Sequence, residues 1–183
     1  KIRDNNKQLV FFYPAYPRSF KNFEYLCKAV KLINNIDQSL NFKVVITING
    51  TENKYSKDIV NKYSKIKNIF FIGRLTHKES LMVTSDIDCL LFPSKIETWG
   101  IPITEAKHFN KNILIASERY AYEAIDDYKS VDYFDLNNPE NLAKKMIKYI
   151  RTGQFTANSK KFNKEFRAIK GWEDLFQISL YEK

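Results

Sequence analysis

Glycine is scarce in this sequence. The 183 residues include five, Gly50, Gly73, Gly100, Gly153 and Gly171, and their spacing permits neither a G-x-G-x-x-G fingerprint nor a P-loop. A dinucleotide-dependent dehydrogenase and a P-loop ATPase are therefore disfavoured. No Gly-x-Ser-x-Gly elbow can be written either. Histidine is scarcer still: His77 and His108 stand alone, too few for a His-based metal cluster, so both read as exposed polar residues and a zinc enzyme is excluded. The two cysteines, Cys27 and Cys89, lie inside apolar elements without metal-type spacing. They read as buried free thiols, suited to a reducing compartment. No apolar run approaches the roughly 18 residues that cross a bilayer. The opening KIRDNNKQL has neither a signal core nor an initiator Met and reads as a cut end.

Positive charge is abundant, with 30 Lys and Arg against 21 Asp and Glu, a formal +9. Its distribution weakens a nucleic-acid reading, because lysines and acids are interleaved with no block of five or six like charges. A general attraction for phosphate-bearing ligands fits better than specific nucleic-acid binding. An apolar fraction of 44% is enough for a real core.

Apolar runs alternate with amphipathic stretches along the chain. QLVFFY (8–13), FKVVITI (42–48), NIFFIG (68–73), DCLLFP (88–93), NILIAS (112–117) and VDYFDL (131–136) read as strands. Between them, a helix from about Lys21 keeps Phe23, Leu26, Cys27, Val30 and Ile33 on one face. A second passes through Tyr55, Ile59 and Tyr63. Thr76 and Glu79 form a capping box for a third, and Pro102 suits the first turn of a fourth. Asn138-Pro139-Glu140 opens a last helix reaching about Thr152. Strands apolar on both faces and alternating with helices predict an α/β fold, a Rossmann-like doubly wound parallel sheet of about six strands. Residues 1–152 form this domain. Residues 153–183 read as a helical extension anchored by Phe162, Phe166, Trp172, Leu175 and Phe176.

In such sheets ligands bind beyond the carboxyl ends of the strands. Three loops there carry unusual residues: PAYPRSFKN (14–22), GRLTHKE (73–79) and SKIETWGIPITE (94–105). In the last, Gly100 lets backbone approach a ligand, and the following helix N-terminus offers free N–H groups to a phosphate. Glu97 and Glu105 bracket it with seven residues between them. An ionised carboxylate can take two hydroxyl hydrogens at once. Two of them around an anion site suit a ligand with hydroxyls at both ends and phosphate in the middle, which describes a sugar nucleotide. Two solvated acids near a helix N-terminus would give the same pattern; the agreement of acids, glycine, proline and strand end weighs against that.

The segment LLFPSKIETWGIPITEA resembles the E-x7-E motif of the retaining family 4 glycosyltransferases (glycosyl transferases group 1), whose usual form is Phe-Pro-Ser, then Glu-Gly-Phe-Gly-Leu-Pro-x-x-Glu-Ala. Thr98 and Trp99 stand at the Gly-Phe positions. The resemblance spans roughly residues 8 to 152 and implies the C-terminal, donor-binding domain of a GT-B fold. It implies that Glu97 contacts hydroxyls of the transferred hexose and Glu105 the ribose, while backbone around Trp99, Gly100 and Ile101 meets sugar and phosphate. It further implies that Lys21 grips the diphosphate. Ala15 and Tyr16 occupy the place of the family's second cation, and the resemblance leaves Arg18 as the candidate to substitute for it. Gly73 and Leu75 would line the base. The family's turn after the fifth strand is replaced by SERYAYEAI, where Glu123 reads as structural.

The resemblance thus implies a hexosyltransferase, inactive as this fragment alone, that uses a nucleotide-diphosphate sugar without a metal or other cofactor. Its acceptor, a glycan or a lipid-linked acceptor, would meet an N-terminal domain. Cytoplasmic location is expected, with association at the inner face of the membrane left open. A non-catalytic nucleotide-sugar-binding module is one alternative. A receiver-like regulatory domain is another, though Tyr13-Pro14-Ala15 offers no acidic cluster for Mg²⁺ at the end of the first strand.

Overall fold

The computed structural model of the chain describes residues 8–155. Six parallel strands form one sheet: β1 (Leu9–Tyr13), β2 (Phe42–Ile46), β3 (Ile69–Phe71), β4 (Cys89–Phe92), β5 (Asn112–Ala116) and β6 (Val131–Phe134). Their order is β3-β2-β1-β4-β5-β6, the order of a doubly wound dinucleotide-type sheet. The order of strand addition reverses between the parallel neighbours β1 and β4, where Phe11 pairs with Cys89 and Phe12 with Leu90. All four residues of β4 are buried. This follows from its central place: a parallel sheet covered on both faces needs apolar side chains on both.

Helices α1 (Phe23–Ile36), α2 (Lys54–Tyr63) and α6 (Pro139–Thr152) pack through α1, whereas α3 (His77–Asp86), α4 (Ile101–His108) and α5 (Arg119–Ile125) pack through α4. These sets are the two covering layers of the sheet. Tyr25 shows how α1 is tied to the far edge. Its ring stacks on Phe134, with centroids 5.7 Å apart, and its hydroxyl donates to the Asn138 carbonyl at 2.9 Å.

The expected capping box opens α3: Thr76 Oγ1 accepts from the Glu79 amide, and Glu79 Oε2 from the Thr76 amide. The first helix starts two residues later than its apolar spacing predicts, because Ser19–Lys21 forms a 3-10 turn that places Lys21 before it. Helix α5 was not expected from SERYAYEAI. It has seven residues, no side-chain cap and no acid in its first turn, so the usual start signals are missing. Its C-terminal carbonyls are satisfied from α4, where Lys107 Nζ donates to Ala124 and Ile125 at 2.9 and 3.0 Å. Glu123 lies exposed beside Arg119, one turn earlier. Both cysteines are buried and free. Among the described residues no helix is long and apolar enough to cross a membrane. The expected anchors from Phe162 to Phe176 lie outside the described residues.

Candidate functional site

The loop after β1 is fixed to the loop after β4 by a chain of buried hydrogen bonds. Tyr13, at the end of β1, is fully buried; its hydroxyl donates to the Lys21 carbonyl at 2.7 Å and pairs with Ser94 Oγ at 3.0 Å. The Tyr120 hydroxyl, from α5, donates to the Ser94 carbonyl at 2.7 Å. Burial above all, with the nearby Glu97 carboxylate adding to it, pushes both tyrosine hydroxyls above their ordinary range. They therefore remain neutral donors at any physiological pH. Backbone bonds complete the clasp: the Lys95 amide donates to the Phe20 carbonyl at 2.8 Å, and Asn22 Nδ2 to the Pro93 carbonyl at 3.3 Å. Asn22 itself sits at φ 59, a left-handed position that asparagine tolerates.

This clasp brings Lys21 and Glu97 together. They lie 76 residues apart in sequence, yet Lys21 Nζ donates to Glu97 Oε1 at 2.5 Å. Their side chains are only 18% and 9% exposed, so this is a shielded pair rather than a solvated surface contact. The rings of Phe20 and Phe92 flank the ammonium at 5.5 and 6.0 Å. An ammonium carries three N–H donors; Glu97 takes one, which leaves others for a second anion. Arg18 is exposed, and its guanidinium lies 5.2 Å from the centroid of the Tyr16 ring. It is on the same loop but makes no ion pair among the described residues.

Gly100 caps α4 at φ 72. A Cβ there would come within 2.6 Å of Ile103 Cδ1, a side chain buried in the core. Pro102 lies in the first turn, where its missing N–H costs nothing. Trp99 and Ile101 flank the glycine with 69% and 62% of their surface exposed, and Ile96 is equally open. Three large apolar side chains are thus left in water along the loop that leads into α4. Glu105, one turn into α4, is 12% exposed and meets His77 from α3, with Nε2 and Oε1 2.8 Å apart. The sequence reading of His77 as a simple exposed polar residue is thus incomplete. It is exposed, but it also bonds to one of the two predicted ligand-binding acids.

Gly73 turns the chain at φ 79 after β3, with Asn49 packed where a Cβ would stand. Leu75 and Arg74 then border an open cleft of about 340 Å³ shared with Tyr16, Thr47 and Glu52. Lys21, Glu97 and Glu105 do not line this cleft. The two features are neighbours through the first loop, Tyr16 bordering the cleft and Lys21 the ion pair. Among the described residues no three His, Cys, Asp or Glu side chains converge as a metal site.

Comparison with known proteins adds the family. A family model described as glycosyl transferases group 1 matches residues 1–166. No curated protein sequence matches the chain. Solved structures similar in fold include HepE from Anabaena, determined in complex with UDP and glucose and also with UDP-glucose. Its TM-score is 0.65 at 16% identity, over 82% of this chain and 41% of that one. TarM is also similar, with a TM-score of 0.64 at 17% identity, over 82% of this chain and 30% of that one. The chain therefore spans less than half the length of these proteins.

Proposed function

The chain belongs to the glycosyl transferases group 1 family, and on that premise we propose that it is the donor-binding half of a retaining glycosyltransferase using a nucleotide-diphosphate hexose. The observation that carries this reading is the meeting of Lys21 and Glu97 at the reversal between β1 and β4, beside the helix that bears Glu105. Rossmann-type sheets take their ligands at that reversal.

Each residue has a role in the proposed reaction. The bond from the sugar anomeric carbon to the diphosphate oxygen breaks as a bond to an acceptor hydroxyl oxygen forms; that hydroxyl's proton passes to the leaving diphosphate, on which negative charge grows. Lys21, the exposed Arg18 and the backbone amides at the start of α4 would meet that charge as fixed positive groups. They would act in place of a metal. Glu97 would accept hydrogen bonds from hexose hydroxyls while its other contact holds the Lys21 ammonium in position. Glu105 would take the ribose hydroxyls. The base would enter the cleft bordered by Leu75, with Gly73 shaping the turn. The exposed Trp99 and Ile101 would be covered by the sugar or by the acceptor-binding half. The HepE complexes with UDP and UDP-glucose support this choice of ligand class. The acceptor, a glycan or a lipid-linked acceptor, would be met on the cytoplasmic side.

Calorimetric titration of the chain with UDP, GDP and ADP tests the reading. One of them is expected to bind with a dissociation constant of roughly millimolar to tens of micromolar, about −4 to −6 kcal/mol. Glu105→Ala should weaken it about tenfold or more, as expected for a charge-assisted hydrogen bond. Absence of binding by any of the three would contradict the proposal.

A further inference from the structure

The Glu105 carboxylate has one hydrogen-bonding partner among the described residues, His77, and that contact has no role in the reading above. An ionised carboxylate only accepts hydrogen bonds, so Nε2 must carry the proton that lies between them. The imidazole is 74% exposed, whereas the carboxylate it covers is 12% exposed. The histidine therefore sits over the acid from the solvent side, on Oε1, and Oε2 has no partner among the described residues.

Both ends of this contact rest on firm supports. His77 is the first residue of α3, inside the Thr76–Glu79 capping box that fixes the backbone there. Glu105 lies between Ile103 and Ala106, both fully buried. A glutamate without such a partner samples several rotamers and loses that freedom on binding a ligand. One held in advance does not, and its ligand binds more tightly for that reason.

We propose that His77 is a positioning residue for Glu105, holding its carboxylate oriented so that the vicinal hydroxyls of a ribonucleotide meet it already in place. This inference rests on the reading of Glu105 as the ribose acceptor, and it adds a consequence: the site discriminates ribose from 2′-deoxyribose through an element on a different helix. A vicinal diol presents two O–H donors to one carboxylate, and a deoxyribose presents one.

The test is calorimetry on the chain with UDP, GDP and ADP and the 2′-deoxy form of each, using wild type, His77→Ala, His77→Gln and Glu105→Ala. Wild type should prefer the ribonucleotide. His77→Ala should weaken the ribonucleotide by about two- to tenfold and the 2′-deoxy form, which has one O–H on the carboxylate instead of two, by clearly less, so that the preference narrows. His77→Gln, whose amide nitrogen reaches the place of Nε2, should keep it. Equal weakening of both forms in His77→Ala would mean a general structural role and overturn the proposal. Tighter binding in that variant would mean that His77 obstructs the acid, and would also overturn it. A wild-type preference abolished by Glu105→Ala but intact in His77→Ala overturns this inference alone. Failure of wild type to bind any nucleotide overturns it together with the reading beneath it.

Discussion

Replacing Lys21 with Ala is expected to lower sugar transfer by about 10²–10³-fold, the loss that follows removal of one preorganised donor from a developing anion. The assay needs a protein that also carries the acceptor-binding half. Two effects combine in this variant. The first is loss of the cation proposed to meet the diphosphate, worth about 1.5–3 kcal/mol as a charge-assisted contact. The second is exposure of a weakness in the fold, because Glu97 is 9% exposed and would lose its partner. A shielded carboxylate without a partner costs about 1–3 kcal/mol, so the melting temperature should fall as well. Ligand choice separates the two. Affinity for the nucleoside diphosphate should drop by about tenfold or more, while the nucleoside without phosphates should bind as before. Equal loss for both would assign Lys21 to folding alone. Lys21→Arg should recover part of the phosphate affinity, since it keeps the charge in a different shape.

Gly100→Ala is expected to damage the site without touching a charged group. The backbone at this position has φ 72, which costs an L-residue about 1–2 kcal/mol. The added methyl would also stand 2.6 Å from Ile103 Cδ1. Ile103 is fully buried and α4 is pinned by it, so the cheaper response is a shift of the helix start. For a chain of this size each kcal/mol lowers the melting temperature by about 2–4 °C. A displaced helix start carries Trp99, Ile101 and the amides of the first turn out of register with Lys21. Nucleotide affinity should therefore fall in a variant that is still folded. A variant that loses stability but binds normally would show that the left-handed cap serves packing only.

Most of the fold was legible because the apolar patterning is unambiguous. A continuously apolar run such as CLLF reads as a strand of a parallel sheet buried on both faces, and it is one. Thr76 with Glu79, and Asn138 with Pro139, signal helix starts through chemistry local to a few residues. Helix α5 was not legible, because its stabilising contact comes from Lys107 on another helix and leaves no local mark. The site divides the same way. The candidate loops, the two glutamates and the glycine between them stand out in the sequence by residue type, spacing and place after a strand. The Lys21–Glu97 pair joins residues 76 positions apart, and the His77–Glu105 pair joins residues 28 apart. Neither separation carries a sequence signal, and each depends on strand order. The buried Tyr13–Ser94–Tyr120 clasp was invisible for the same reason: a tyrosine at a strand end looks like core until its hydroxyl is seen to have partners.

The most direct test of the central claim is to map, by amide chemical shifts, where a nucleoside diphosphate binds this chain. The account predicts perturbations clustered at residues 15–22, 73–77 and 97–105, all at the carboxyl edge of the sheet around the reversal between β1 and β4. Perturbations at the opposite edge, or none at a ligand concentration of several millimolar (well above the roughly millimolar upper end of the expected dissociation constant), would contradict it.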